Sequence, residues 1–334
     1  MYERDFTQAF GKEEYLEAYS IRWSPSRTLC YQSIFVDLLE YLTEIFSARR
    51  ITPPELENES AVDDVSSMGV TCFGGGAAEV VAFGGFLRYL QDTMLRRTRE
   101  DVLTVAEGLD KLSLQGMELQ NDLNQQSSSE YGHPNPDRLP GIDLCLVDTA
   151  QWQGVIHKLH NGLTTPPPLS KYASSSAKEV NEPLTADANF HITFRQDDVL
   201  EMSGGELVNV AGGRPILVTL LFTLNELYTS SIGKTTAFLL NLTAAVTSGS
   251  LLLVVDSPGS YSETTVGTEA KKYPMHWLLD HTLLETQKSR GSESAPDWVK
   301  LVSEDSTWFR IPESLRYPIP LENMRYQLHL YRRI

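Results

Sequence analysis

The stretch Val70-Thr71-Cys72-Phe73-Gly74-Gly75-Gly76-Ala77-Ala78-Glu79 reads as an apolar strand that runs into three glycines and then a helix. Glycines at such a junction let the backbone turn tightly and approach a ligand, whose polar groups can meet the free N–H groups at the helix start. The dinucleotide fingerprint G-x-G-x-x-G would need glycine where Glu79 stands, so a purely structural turn competes with this reading. A second apolar run, Ile142 to Val147, ends in Asp148, an acid placed to accept from the two hydroxyls of a ribose. Gly76 and Asp148 lie 148 − 76 = 72 residues apart, against about 20 in the usual fingerprint, which requires a large insertion. A third strand end, Phe194-Arg195-Gln196-Asp197-Asp198-Val199-Leu200, offers Asp198 to an adenine amino group and the Val199 N–H to the ring. Three such ends along one sheet edge describe a site for a nucleoside-type cofactor at a topological switch point.

Other candidates fail on spacing. Gly233-Lys234-Thr235 has the ending of a phosphate loop, but the first glycine of that motif would fall on Tyr228. His157 with His160, and His276 with His281, have no carboxylate or thiolate at ligand spacing, so no metal is expected.

The elements that must position these residues follow from apolar periodicity. Lys12 to Tyr19 reads as a helix, and Ser24-Pro25 as the N-cap and first turn of a long one. Its stripe of Tyr31, Ile34, Phe35, Leu38, Leu39, Leu42, Ile45 and Phe46 must pack on something. Five short aliphatic runs follow: Gly69 to Phe73, Ile142 to Val147, Phe190 to Phe194, Ile216 to Phe222 and Leu251 to Val255. Continuous runs of this kind belong to a parallel sheet covered on both faces. Helices are expected over Ala77 to Arg99, Ile232 to Val246 and Pro274 to Glu285, and a closing strand over Met324 to Tyr331. The expectation is a doubly wound α/β fold: residues 1–60 a helical extension or lid, residues 61–334 the catalytic domain, and polar surface insertions at about 101–140 and 164–189.

With 44 acids against 28 bases the 334-residue chain carries −16, which argues against sequence-blind adhesion to nucleic acid and requires any polyanion to be met by local basic groups. No run has the length of a membrane span and the start lacks a secretory layout, so a soluble, intracellular protein is expected. Cys30, Cys72 and Cys145 are few, odd in number and widely spaced, as suits buried reduced thiols.

Several longer motifs carry a resemblance: Arg22-Trp23-Ser24-Pro25-Ser26-Arg27, Cys72 to Glu79, Leu220 to Leu227, Val255-Asp256-Ser257-Pro258-Gly259-Ser260-Tyr261, Tyr273 to His281 and Leu321 to Gln327. Together they resemble a fungal family of S-adenosylmethionine-dependent methyltransferases, typified by the large-subunit (25S) rRNA uridine-N3 enzymes. That resemblance implies a Rossmann-like seven-stranded sheet whose last strand is antiparallel, with S-adenosylmethionine as cofactor and rRNA or a pre-ribosomal particle as partner. A monomer without membrane or metal is expected, and ribosome assembly points to the nucleus or nucleolus, with the cytoplasm as the alternative. By motif, Gly74, Gly75 and Gly76 take the methionine part, Asp148 the ribose, and Asp198 with Val199 the adenine. Trp152 and Asp197 complete the cofactor set, and Phe222 and Thr223 form the floor beneath the methyl group. Two departures stand out: Cys72 where an acid is common, and Ala78 in place of the third loop glycine. For a uridine acceptor, Glu226 and Asp256 are candidate bases and Asn225 can orient the ring. Arg22, Trp23, Arg27 and Tyr261 are candidates for RNA contact, and Arg96, Arg97, Arg99, Arg325, Arg332, Arg333 and Trp308 are further basic or stacking groups. A methyltransferase of proteins or metabolites, a nicotinamide oxidoreductase and a non-catalytic scaffold are the competing classes.

Overall fold

The computed structural model describes residues 10–48, 67–115, 139–259, 263–266, 271–285 and 297–334. The strands are β1 (Ser67–Phe73), β2 (Gly141–Asp148), β3 (Phe190–Gln196), β4 (Leu217–Leu221), β5 (Leu251–Asp256), a small hairpin of β6 (Glu263–Val266) and β7 (Lys271–Pro274), β8 (Trp298–Phe309) and β9 (Met324–Arg333). Seven of them form one sheet in the order β3-β2-β1-β4-β5-β9-β8. β1 to β5 are mutually parallel, and β9 runs antiparallel to both β5 and β8. The expected α/β sheet with an antiparallel last strand is therefore present.

β1, β2, β4 and β5 are apolar runs because each contributes to both of two cores. Leu251, Leu253 and Val255 of β5 join one cluster with Val70, Leu144 and Leu328. Leu252 and Val254 join the other with Val218 and Tyr331. Burying both faces leaves few polar positions, Thr71 and Thr219 among them, which is the pattern a covered parallel sheet requires. The first cluster is closed by helices α1 (Glu13–Arg22), α2 (Ser24–Asp37), α3 (Leu39–Ala48), α4 (Ala77–Gln115) and α5 (Gln153–Thr164). The second lies under α7 (Gly204–Ala211), α8 (Leu224–Ser230), α9 (Ile232–Ala245) and α10 (Met275–Asp280), while the short α6 (Ser175–Glu179) sits in an exposed loop.

Several boundaries differ from the sequence expectation. Trp23, not Ser24, holds the N-cap position of α2, because the α1 helix runs directly into it and Pro25 occupies the first turn. The long apolar stripe is broken at Leu38, giving two helices that both bury it; Phe35 stacks on Phe83 of α4 at 4.3 Å. The first insertion begins as a continuation of α4 to Gln115, and residues 116–138 lie outside the described residues. β8 has no counterpart in the expected strands. It is the sheet edge and mostly exposed, so its sequence Trp-Val-Lys-Leu-Val-Ser-Glu-Asp-Ser-Thr-Trp-Phe carries no apolar run.

Candidate active site

The carboxyl ends of β1 and β4 meet where the strand order reverses, which is where open α/β sheets bind ligands. Gly74 turns there with φ +74°, a left-handed conformation that favours glycine, and its N–H donates to the Val147 carbonyl of β2 at 2.8 Å. A Cβ on Gly74 would stand 2.4 Å from Thr223 Oγ1, and one on Gly76 would stand 2.8 Å from the Trp152 ring. The three glycines are thus packed between β4 and α5 so tightly that only bare backbone fits.

Glu79, which spoils the dinucleotide fingerprint, has a role of its own. Its carboxylate accepts from the Gly76 N–H at 2.7 Å and so caps the start of α4 from the N3 position. A glycine followed three residues later by glutamate is compatible with such a cap, but that spacing does not mark the acid as turned into the crevice. Burial pushes the Glu79 carboxyl up, against the N–H bonds and Arg27, which lower it.

Asp148 accepts from the Ala150 N–H at 2.7 Å. Burial pushes its carboxyl up to about 6, against bonds from Ala150 and the Trp152 indole. Trp152 is itself buried, with Tyr19 and Phe10 of the N-terminal segment edge-on or tilted against it at 6.0 and 6.3 Å. The third strand end folds back on the second: the Asp197 N–H donates to the Asp148 carbonyl at 3.0 Å, and the Asp197 carboxylate pairs with Arg195 at 2.7 Å. Asp198 is exposed and one of its oxygens accepts from the Leu200 N–H at 2.9 Å, while Val199 is buried.

On the other side of the switch point Phe222 adopts φ +58°, a strained conformation for a bulky side chain, and its N–H donates to the Val255 carbonyl at 2.7 Å. Asp256, at the end of β5 and 3% exposed, accepts from the Asn225 N–H at 3.0 Å and the Ser257 N–H at 2.8 Å. Burial raises its carboxyl to about 6; the two N–H bonds and Arg27 pull down, and Glu226 pushes up.

Arg27 is the cation among these acids. α2 lies across the crevice, pinned by the Thr28 hydroxyl on the Ala78 carbonyl at 3.2 Å. From it Arg27 reaches the Tyr19 hydroxyl at 2.5 Å and stacks over the rings of Phe222 at 5.4 Å and Tyr19 at 5.7 Å. Burial works against its charge, but Tyr31, Tyr19, Glu79 and Asp256 outweigh that and raise its pKa. The charge of this guanidinium therefore acts on the buried acids Glu79 and Asp256, and that of Asp148 on Glu79. Such a lining favours a ligand that carries positive charge and hydroxyl donors.

The structure brings together Gly74, Gly75, Gly76, Asp148, Trp152, Phe222, Thr223, Asn225, Asp256 and Arg27. Arg22 and Trp23 lie apart from Arg27 in character: Arg22 stacks on the exposed Trp23 at 4.3 Å and pairs with Glu322 at 2.7 Å. Tyr261 and the side chains of Arg97 and Arg99 lie outside the described residues. Sequence reasoning missed Tyr19, Tyr31 and Glu79, because aromatic or acidic residues on helices carry no local mark of facing a crevice.

A family model for SAM-dependent methyltransferases matches residues 1–332. The 25S rRNA (uridine(2843)-N(3))-methyltransferase of Saccharomyces cerevisiae is 30% identical over 334 residues, spanning 99% of this chain and 74% of that protein. Among solved structures, a SAM-dependent methyltransferase from Anabaena variabilis is 10% identical over 96% of this chain and 93% of its own, with a TM-score of 0.35. An O-methyltransferase family protein from Burkholderia thailandensis is 10% identical over 97% and 61%, with a TM-score of 0.37; neither overlap is close enough to bear on the site. Matched by its family model almost from end to end, the chain belongs to the SAM-dependent methyltransferases, and S-adenosylmethionine is its cofactor.

Proposed function

We propose that this protein methylates N3 of a uridine in large-subunit rRNA. The observation that carries the reading is 30% identity across 99% of the chain to the yeast 25S rRNA uridine-N3 enzyme.

S-adenosylmethionine, when bound, supplies an electrophilic methyl group on a sulfonium cation. The residues present fit it: backbone without side chains at Gly74 to Gly76, and the buried acids Glu79, Asp148 and Asp256 as an anionic lining for a cation. In this reading the three glycines take the methionine part and Asp148 the ribose hydroxyls. Trp152 fixes Asp148 and walls the glycine turn. Asp198 and the Val199 N–H meet the adenine, and Asp197, tied to Arg195, sets their turn. Phe222 and Thr223 form the floor of the acceptor pocket.

The uracil N3 proton lies on the pairing edge, so the base must be unpaired or extruded before it can react. Asp256 takes that proton: a carboxyl raised to about 6 is ionised at neutral pH yet more basic than an ordinary aspartate. Arg27 faces the charge that then spreads to the uracil oxygens, Asn225 orients the ring, and Glu226 keeps Asp256 basic. RNA outside the pocket meets Arg22 with Trp23, Tyr261, and the exposed Trp308, over which Arg310 and Arg325 stand at 5.5 and 5.9 Å. The protein acts as a monomer on rRNA or a pre-ribosomal particle, in the nucleus, nucleolus or cytoplasm.

The test is incubation of purified protein with S-adenosylmethionine and large-subunit rRNA, followed by nucleoside mass spectrometry. N3-methyluridine, absent with Asp256→Ala, supports the reading; methyl incorporation into protein or metabolites alone rejects it. That second outcome is favoured by the net charge of −16.

A further inference from the structure

On the sheet face beside α10, three side chains from separate elements converge: His276 of α10, Asp305 of the edge strand β8 and His329 of β9, each with a nitrogen or oxygen within 4.8 Å of the others. The imidazole rings stand 5.6 Å apart. His329 is fully buried and its tautomer is fixed by its neighbours. The Gln327 amide N–H donates to the Ser257 carbonyl at 2.7 Å, which turns its oxygen toward His329 Nε2 at 3.1 Å. An amide oxygen only accepts, so Nε2 carries the hydrogen and Nδ1 presents a lone pair. A metal-binding histidine is oriented in this way, with its second ring nitrogen donating to a fixed acceptor.

The lone pair meets the Ser303 hydroxyl at 3.1 Å, and Ser303 is exposed, so this hydroxyl can turn to water and release it. Asp305 stands where the β8–β9 register shifts between Glu304 and Thr307, a bulge of the kind that re-aims side chains next to sites. Lys300, which also bears on His329, pairs with Asp280 at 2.8 Å, so its charge is offset beside the group. Two imidazoles and one carboxylate are the donor set of zinc and its first-row neighbours, whereas magnesium and calcium take oxygen. Ligands on a tetrahedral zinc lie about 3.4 Å apart, so a spread of no more than 4.8 Å closes by at most about 1.4 Å. Exposed Asp305 and half-buried His276 can supply that motion around the fixed His329.

We propose that His276, Asp305 and His329 bind one divalent transition metal of the zinc class, with water completing its shell, and so clamp α10 to the β8–β9 edge. Through Gln327 the clamp also steadies Ser257, the residue after Asp256. The proposal is independent of the methyl acceptor.

Untagged full-length protein, stripped with a chelator and exchanged into clean buffer, is titrated with cobalt(II) by visible absorption and with zinc by calorimetry, with magnesium as control. Wild type should take up one equivalent of cobalt with the intense d–d absorption of a low-symmetry site, and zinc but not magnesium should raise the melting temperature. His276→Ala and Asp305→Asn should each weaken zinc at least about tenfold. Circular dichroism and S-adenosylmethionine binding unchanged in Asp305→Asn would separate loss of a ligand from loss of fold. Absence of one-equivalent binding to wild type overturns the proposal, as does binding that both variants retain unchanged, which would assign the metal elsewhere.

Discussion

Asp256→Asn isolates the charge that the site is built to hold. The carboxyl is raised from 3.8 to about 6 by burial, against two N–H bonds and Arg27. An acid with a raised folded-state pKa binds its proton more tightly when folded, so its contribution to stability is greatest below the unfolded value and is lost as pH rises through the folded one. Between pH 3.8 and about 6, at about 1.36 kcal/mol per pH unit, ionising Asp256 costs the fold about 3 kcal/mol. Asparagine removes the titration and weakens one N–H contact, but that second effect does not depend on pH. The stability of the wild type minus that of the variant should therefore fall by about 3 kcal/mol from pH 4 to pH 7 and stay flat on either side. With an unfolding entropy of about 2.1 cal/mol/K per residue over 334 residues, the difference in melting temperature should narrow or reverse by about 4 °C. Melting curves at half-unit pH steps measure it. Parallel profiles for the two proteins would refute the assignment of a raised carboxyl at this position, and with it the reason for choosing Asp256 as base.

Four further outcomes are expected. S-adenosylmethionine affinity should fall below about pH 6 as Asp148 takes up a proton, and calorimetry on Asp148→Asn should show weaker binding with a shallower pH dependence, the remainder belonging to Asp256. Gly76→Ala puts a methyl group 2.8 Å from the Trp152 ring, so cofactor affinity should drop at least about tenfold, with a change in tryptophan fluorescence. Gly74→Ala combines φ +74° with a 2.4 Å approach to Thr223 and should cost about 2 kcal/mol or more in urea unfolding. Arg27→Gln removes the cation that lowers Asp256, so the acid limb of the rate profile should move to higher pH, with Arg27→Lys restoring part of the shift.

The sheet and its ligand edge are legible in the apolar runs of the chain. β1, β2, β4 and β5 are short aliphatic runs because both faces are buried, and a parallel sheet then forces the ligand to the carboxyl ends, where Gly74, Asp148 and Phe222 stand. The same pattern does not reveal β8, whose edge position leaves it polar, nor the break at Leu38, where both halves of one apolar stripe stay buried. Helix packing across the crevice is what sets the charge of Arg27 on α2 against Glu79 and Asp256, and what turns Glu79 back to cap Gly76. The same holds for His276, Asp305 and His329: local spacing associates His276 with His281, whereas antiparallel pairing of β8 and β9 under α10 gathers a different set. Periodicity records which face of an element is buried. Which residues meet across that face depends on strand order and register, and these follow from the packing of the whole chain.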